Sequence, residues 1–269
     1  MSLESPARLA SVVYRDPPGR DDPAELYHEA SKLVPATAGR MLAGVAALAA
    51  SPPLLRVVAD ASLRRPEAPL VPLPTPLPLT RPLGSVLTDR RSQRDFEPGP
   101  VTAAALAALL EAAYGETGSL GEGQPLRACP SAGALYPLDV FVAVRAADSL
   151  DRGLYRFEPS EHGLESLGDA AGVAAATANP ELAESAAVLV VLAATFWRSR
   201  FKYGLRAYRF TLLEAGHAAQ NLLLAATALG LAAAPLGGFF DGRMDEALAL
   251  DGVDRGSLYA IAVGAGGSG

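Results

Sequence analysis

The sequence predicts an α+β fold with one mixed central sheet flanked by helices, and three observations carry that expectation. Apolar, β-branched runs at 138–145 and 187–195 alternate along the chain with helical patterns at 101–114 and 206–229. Residues 153–167 read instead as two short strands about a turn, a hairpin that a purely parallel sheet would not contain. Half of the 269 residues are hydrophobic and 19% are charged, so there is ample apolar material for a sizeable core.

Residues 1–82 are expected to form a helical extension and a proline-rich strap, and residues 83–269 the main domain. In the extension, 24–33 and 36–50 have helical patterning, the second closed by Ser51-Pro52-Pro53. Prolines then recur at 66, 69, 72, 74, 76, 78 and 82. Each removes an amide donor and fixes φ, so the strap must be extended rather than helix or central strand. Leu and Val alternate with these prolines, which favours a strap lying on its own domain, where they are sheltered from water. Thr102 is the expected cap of a helix over 101–114, and Gly115 its stop. The sequence LDVFVAVR at 138–145 suits a buried strand, and the 153–167 hairpin turns at 159–163. Residues 187–195 (AVLVVLAAT) are apolar on both faces and suit a central strand. A long helix is expected over 206–229, closed by Gly230. A short strand at 231–234 before Pro235, a small helix near 244–250 and a last strand at 257–263 complete the domain.

Composition excludes several classes. A net charge of −6 and a sequence pI near 5.2 argue against a nucleic-acid binder, which would show a basic surplus or face. The single cysteine, Cys129, rules out an intrachain disulfide and a cysteine-based metal site. His28, His162 and His217 do not form a metal-ligand spacing, so no metal is expected. The early residues lack a secretory signal's apolar core, and the 41–50 stretch is far short of the ~20 residues a spanning helix needs. A soluble, cytoplasmic protein is expected.

Four short motifs carry the chemistry. Arg90, Arg91 and Arg94 around Ser92 could cradle a phosphate through forked, charge-assisted hydrogen bonds, although a solvated turn would have the same composition. Pro130, Ser131, Ala132 and Gly133 form a small-residue loop able to lie flat against a planar ligand, or an ordinary tight loop before a strand. Pro235, Leu236, Gly237 and Gly238 expose backbone amides in a fixed geometry, as a plain turn would also do. Lys202 and Tyr203 are adjacent; such pairs are frequent on surfaces, but in a site a lysine cation beside a phenol makes a usable base. On the long helix, Arg206, Arg209, Leu213, His217 and Gln220 share a face, which points to a subunit interface or a cofactor edge.

Taken in order, RRSQRDF, PSAGALYP, GLYRFEP, FKYGLRAYRF, EAGHAAQNLLLAATALGLAAAPLGGF and LYAIAVG resemble the SagB-type dehydrogenases, a branch of the nitroreductase superfamily, as does the upstream LYHEASK. The resemblance spans most of the chain from Leu26 to Gly264. It implies a nitroreductase-like fold and an intertwined homodimer that binds FMN at the subunit interface. Arg90, Arg91, Ser92 and Arg94 would then hold the phosphate and ribityl chain. Pro130, Ser131, Ala132 and Gly133 of the second subunit would line the flavin, and Pro235, Leu236, Gly237 and Gly238 would flank its ring near N5. The reaction implied is oxidation of thiazoline or oxazoline rings in a modified peptide to thiazoles or oxazoles, with Tyr203 as base and Lys202 as the charge that tunes it. The chain ends in GAGGSG where many superfamily members carry a basic residue, so the arginines are expected to bear most of the phosphate contact. The compact extension suggests that leader recognition rests on a partner such as a cyclodehydratase. An FMN enzyme for another small or carrier-bound substrate, and a non-catalytic flavin-binding subunit of a biosynthetic complex, remain open at this level.

Overall fold

The computed structural model describes residues 22–51, 53, 67–120 and 124–266. Its centre is a seven-stranded sheet. In chain order the strands are β1 (Leu70–Pro72), β4 (Leu138–Val144), β5 (Gly153–Glu158), β6 (Gly163–Gly168), β7 (Val188–Thr195), β8 (Leu231–Leu236) and β9 (Arg255–Ala265). Strands β2 (Glu116–Leu120) and β3 (Gln124–Arg127) form a separate hairpin. The main sheet has the order β1-β6-β5-β4-β7-β9-β8; its ladders are antiparallel, and Val101 and Ala147 form a parallel bridge beside it. The helices are α1 (Pro23–Ala30), α2 (Pro35–Ala49), α3 (Leu83–Asp89), α4 (Ala103–Tyr114), α5 (Pro180–Ser185), α6 (Trp197–Tyr203), α7 (Arg206–Ala228) and α8 (Asp241–Ala247). The α+β class with one helix-flanked sheet agrees with the sequence.

Both faces of the central strands are apolar because both are covered. Val140, Val142 and Val144 of β4, with Val188, Val190 and Leu192 of β7, face a core shared with α4 and α7. Phe141 and Ala143, with Leu189, Val191 and Ala193, face a second core closed by Val173, Ala176, Ala183 and Met244. Side-chain alternation along each strand produces this division. Apart from Glu111, helix α4 is apolar all round, so it is buried rather than amphipathic. Its alanines meet Ala215, Ala218 and Ala219 of α7, and small side chains let the two helices approach closely.

Local signals placed α4 well: Thr102 Oγ1 accepts from Ala105 N at 3.1 Å, and Gly115 is the C-cap. Other boundaries differ. Strand β8 does not stop before Pro235 but runs through it to Leu236, which an edge strand tolerates because no neighbour needs the missing amide. Helix α8 begins three residues before the expected 244. The strap enters the main sheet through β1, which pairs with β6, and Leu77 N then donates to Ala104 O. His162 pins it further, with Nε2 3.1 Å from Pro74 O and Nδ1 2.6 Å from Glu111 Oε1. Leu73 is sheltered there, but Leu77 and Leu79 stay 40% and 45% exposed, so only part of the strap's apolar surface is covered. The start of the strap and Pro52 lie outside the described residues.

Candidate active site

Register places the loop before β4, the start of α6 after β7 and the turn after β8 at one end of the sheet. Leu138 pairs with Ala194, Leu236 with Ala260, and Ala260 with Val191. The sequence-predicted residues fall into two groups: one follows the outer edge of β8, where Gln93 meets Ala233, whose ladder partner Val263 pairs with Val188 at the other end of the sheet, and one lies at this end.

The first group surrounds the free edge of β8. After α3 the chain runs extended, and Gln93 N donates to Ala233 O at 3.0 Å. The arginines on either side of Gln93 therefore flank the strand that ends at Pro235 and Leu236. Arg90 is half-buried, whereas Arg91, Ser92 and Arg94 are exposed. Arg91 folds back, with Nη1 donating to Thr88 O and Arg90 O at 2.8 Å. Gly237 and Gly238 are also exposed, and among the described residues their amides donate to no protein acceptor.

The second group joins the Pro130–Gly133 loop to α6. Gly133 has φ +67°, and a Cβ built on it would lie 2.5 Å from both Lys202 Nζ and Tyr203 OH. Only glycine lets the backbone come so near those two atoms. Ser131 Oγ accepts from Tyr136 N at 2.9 Å, closing the loop on itself. Lys202 Nζ sits 5.2 Å from the Tyr203 ring centroid, and Tyr203 meets Phe210 edge-on at 5.2 Å. Helix α6 has no apolar period of its own; Arg198 Nη1 to Asp139 Oδ1 at 3.2 Å and Ser199 Oγ to Thr211 Oγ1 at 3.4 Å tie it down. A cavity of about 400 Å³ opens beside the Lys202–Tyr203 pair, with the end of α1 and Gly44 of α2 on its far side.

Beneath the loop lies a polar cluster to which the sequence reading gave no role. Glu214 of α7 is only 2% exposed, and its Oε1 accepts from Tyr114 OH at 2.6 Å. Tyr114 OH in turn accepts from Leu138 N at 3.1 Å. Burial raises the Glu214 carboxyl to about 7, against the opposing pull of hydrogen bonds from Ser131 and Tyr114 and the charge of Arg127. The Arg127 guanidinium lies 4.5 Å from the Tyr114 ring centroid and 4.9 Å from that of Tyr136. Burial, with Glu214 close by, pushes the Cys129 thiol up to about 12. The signal was present in the sequence: a carboxylate at helical spacing with Ala207, Thr211 and Ala218 sits on the buried stripe of α7. On the face chosen from the sequence, Leu213, His217 and Gln220 are exposed in the single chain, while Arg206 and Arg209 bind Ser31 of the extension.

Comparison with known proteins bears on the family and the fold. A model of the nitroreductase family matches residues 87–265. The protein named "Putative nitroreductase MJ1384" from Methanocaldococcus jannaschii is 36% identical over 171 residues, 62% of this chain and 84% of that one. The microcin B17-processing protein McbC of Escherichia coli is 28% identical over 144 residues, 48% of this chain; the chain spans half of McbC (50%). Two solved structures called putative nitroreductases, from Anabaena variabilis and Ralstonia eutropha, have TM-scores of 0.64 and 0.63 at 25% and 28% identity. They cover 77% and 78% of this chain, and 45% and 97% of theirs. The E. coli microcin synthetase McbBCD complex with truncated pro-MccB17 bound (TM-score 0.56, 21% identity, 78% of this chain and 79% of that one) shares the fold. So does a putative nitroreductase from Desulfovibrio desulfuricans in complex with FMN (TM-score 0.50, 23% identity, 70% of this chain and 91% of that one).

Proposed function

The chain belongs to the nitroreductase family of flavin oxidoreductases, and from that premise we propose that it is an FMN-dependent dehydrogenase that oxidises thiazoline or oxazoline rings in a modified peptide. The observation that carries this reading is the close approach of Gly133 to Lys202 Nζ and Tyr203 OH, which sets a potential base and a cation against a bare stretch of backbone. A reductase that only passes electrons to its substrate needs no such pair. The similarity to McbC supports a peptide substrate. The McbBCD complex supports a biosynthetic partner, a cyclodehydratase being the enzyme class that would make the azoline.

The residues present fit FMN. Exposed guanidinium groups and Ser92 offer donors for a phosphate, and the Gly237–Gly238 turn offers unpaired amides with no side chain over them. Arg90, Arg91, Ser92 and Arg94 would hold the phosphate and ribityl chain, and Pro235, Leu236, Gly237 and Gly238 would flank the ring. In a homodimer the partner copy's Pro130–Gly133 loop would complete the site. FMN, when bound, supplies the acceptor for two electrons. The oxidation removes two hydrogens from each ring, one as a proton and one with its bonding electron pair. Tyr203 takes the proton, and Lys202 supplies positive charge beside the phenol. The loop against which the pair rests limits where both side chains can point.

Incubating the flavin-loaded protein with an azoline-bearing peptide tests this, with mass spectrometry reading a loss of two hydrogens per ring. Tyr203→Phe should lower turnover by about 100-fold, and Lys202→Ala by about tenfold, with flavin retained. Full turnover in both variants would overturn the catalytic assignment. No oxidation of any azoline peptide by the yellow wild-type protein would overturn the function.

A further inference from the structure

The cavity beside Lys202 and Tyr203 has walls of one charge. Lys32 from the end of α1, Arg200 and Lys202 from α6 and Arg206 from α7 all line it, and among the described residues no aspartate or glutamate does. A chain of net charge −6 does not gather four cations about one cavity through composition alone. Glu29 pairs with Lys32, and Arg206 Nη1 donates to Ser31 O at 3.3 Å, so both are partly engaged. Arg200 lies over the Trp197 ring, 4.6 Å from its centroid, with no carboxylate partner among the described residues. Walls of one sign in a concave site concentrate a ligand of the other sign.

The far wall is built in, not loosely apposed. Tyr27 OH donates to Leu205 O at 3.2 Å, and Arg209 Nε donates to Ser31 Oγ at 2.8 Å. On α2, a Cβ added to Gly44 would come within 3.1 Å of Lys202 O, so that helix is seated directly on the catalytic segment. A cavity of about 400 Å³ is in the range of small-ligand sites.

We propose that this cavity binds an oxyanion of the substrate, held mainly by Arg200 and Arg206 next to the Lys202–Tyr203 pair, and that the N-terminal helices are therefore part of the substrate site. The inference rests on the function proposed above, under which the oxyanion is the terminal carboxylate of a peptide that ends in its azoline, since an internal ring carries an amide at that position.

Trp197, the chain's single tryptophan, lies outside the cavity but stacks under the lining residue Arg200, so a ligand that draws Arg200 inward should change its fluorescence. The full-length, flavin-loaded protein is titrated with thiazole-4-carboxylate, thiazole-4-carboxamide and inorganic phosphate. The carboxylate should bind at least about tenfold more tightly than the carboxamide, by an amount that shrinks as salt is added. Arg200→Gln should reduce that preference to about threefold or less, and Arg200→Lys should keep part of it. Equal binding of acid and amide by the wild type overturns the proposal, and tighter binding of phosphate overturns the carboxylate. Peptide oxidation, read separately by mass spectrometry, keeps the two ideas apart. Oxidation without an acid preference removes this site and leaves the function standing; an acid preference without oxidation does the reverse.

Discussion

Gly133 and Glu214 are the two residues on which the second group of site residues turns. At Gly133 an added methyl group meets the tips of Lys202 and Tyr203, which can move, rather than backbone, which cannot. The left-handed φ of +67° adds about 1 kcal/mol for a non-glycine residue. Gly133→Ala should therefore melt within a few degrees of wild type yet lose about tenfold or more in azoline turnover, because the displaced tips are the proposed reacting groups. Glu214 makes a pH argument. Its carboxyl ionises near 7 in the folded protein and lower when unfolded, so the folded state holds the extra proton between those values. Stability is thus fully present in acid and falls as pH rises towards 7, by a total on the order of 3 kcal/mol. Glu214→Gln, which can still accept from Tyr114, should flatten that slope and melt higher than wild type at pH 8, while differing little at pH 5. Melting curves at both pH values check it. The glycine loop stood out in the sequence because small residues and prolines are local signals. Glu214 showed there only as a carboxylate on an apolar helical stripe, because its partner Tyr114 lies 100 positions away and only folding brings it within reach.

At the scale of elements, helix α6 shows what local patterning leaves out. Trp197–Tyr203 has two arginines, a lysine and three aromatics in seven residues, with no apolar period to announce a helix. Its place is fixed by Arg198 and Asp139, and Asp139 belongs to a buried cluster. Arg156 faces Asp139 at 3.6 Å, Glu158 at 3.3 Å and Glu165 at 2.7 Å, all nearly inaccessible to water. Removing Arg156 would take a buried cation from Asp139, Glu158 and Glu165 together, so Arg156→Met should cost about 3–5 kcal/mol in urea unfolding. Asp139→Asn should instead act on the helix, slowing azoline turnover more than it lowers stability, since it loosens the segment that carries Lys202 and Tyr203. The β2–β3 hairpin escaped notice for a related reason: its strands are short, polar and half-exposed, and offer no alternation to read. By contrast, α4 had a cap at each end and β7 an apolar run, and both were legible to within a residue or two.

For the whole molecule, the layering of helices over one sheet followed from composition and pattern, whereas assembly depends on surface that no pattern interprets alone. Leu212 and Leu213 of α7 are 43% and 60% exposed, on the helix that the sequence suggested for an interface. If two copies share the flavin as proposed, Leu213→Glu should shift the protein to monomers on size exclusion and release its yellow colour, whereas retention of both would remove the dimer from the account. The arm that bears Arg90, Arg91 and Arg94 has a second duty. By giving Gln93 N to Ala233 O and Glu97 N to Ala265 O, it covers main-chain acceptors on the last strands of the sheet. Peeled away, it would bare an alanine-rich ribbon on which other chains could add, the usual beginning of precipitation. If these arginines cradle the phosphate as proposed, replacing them risks turbidity together with pallor, and a variant that loses cofactor should be watched in the centrifuge before it is judged in the spectrometer.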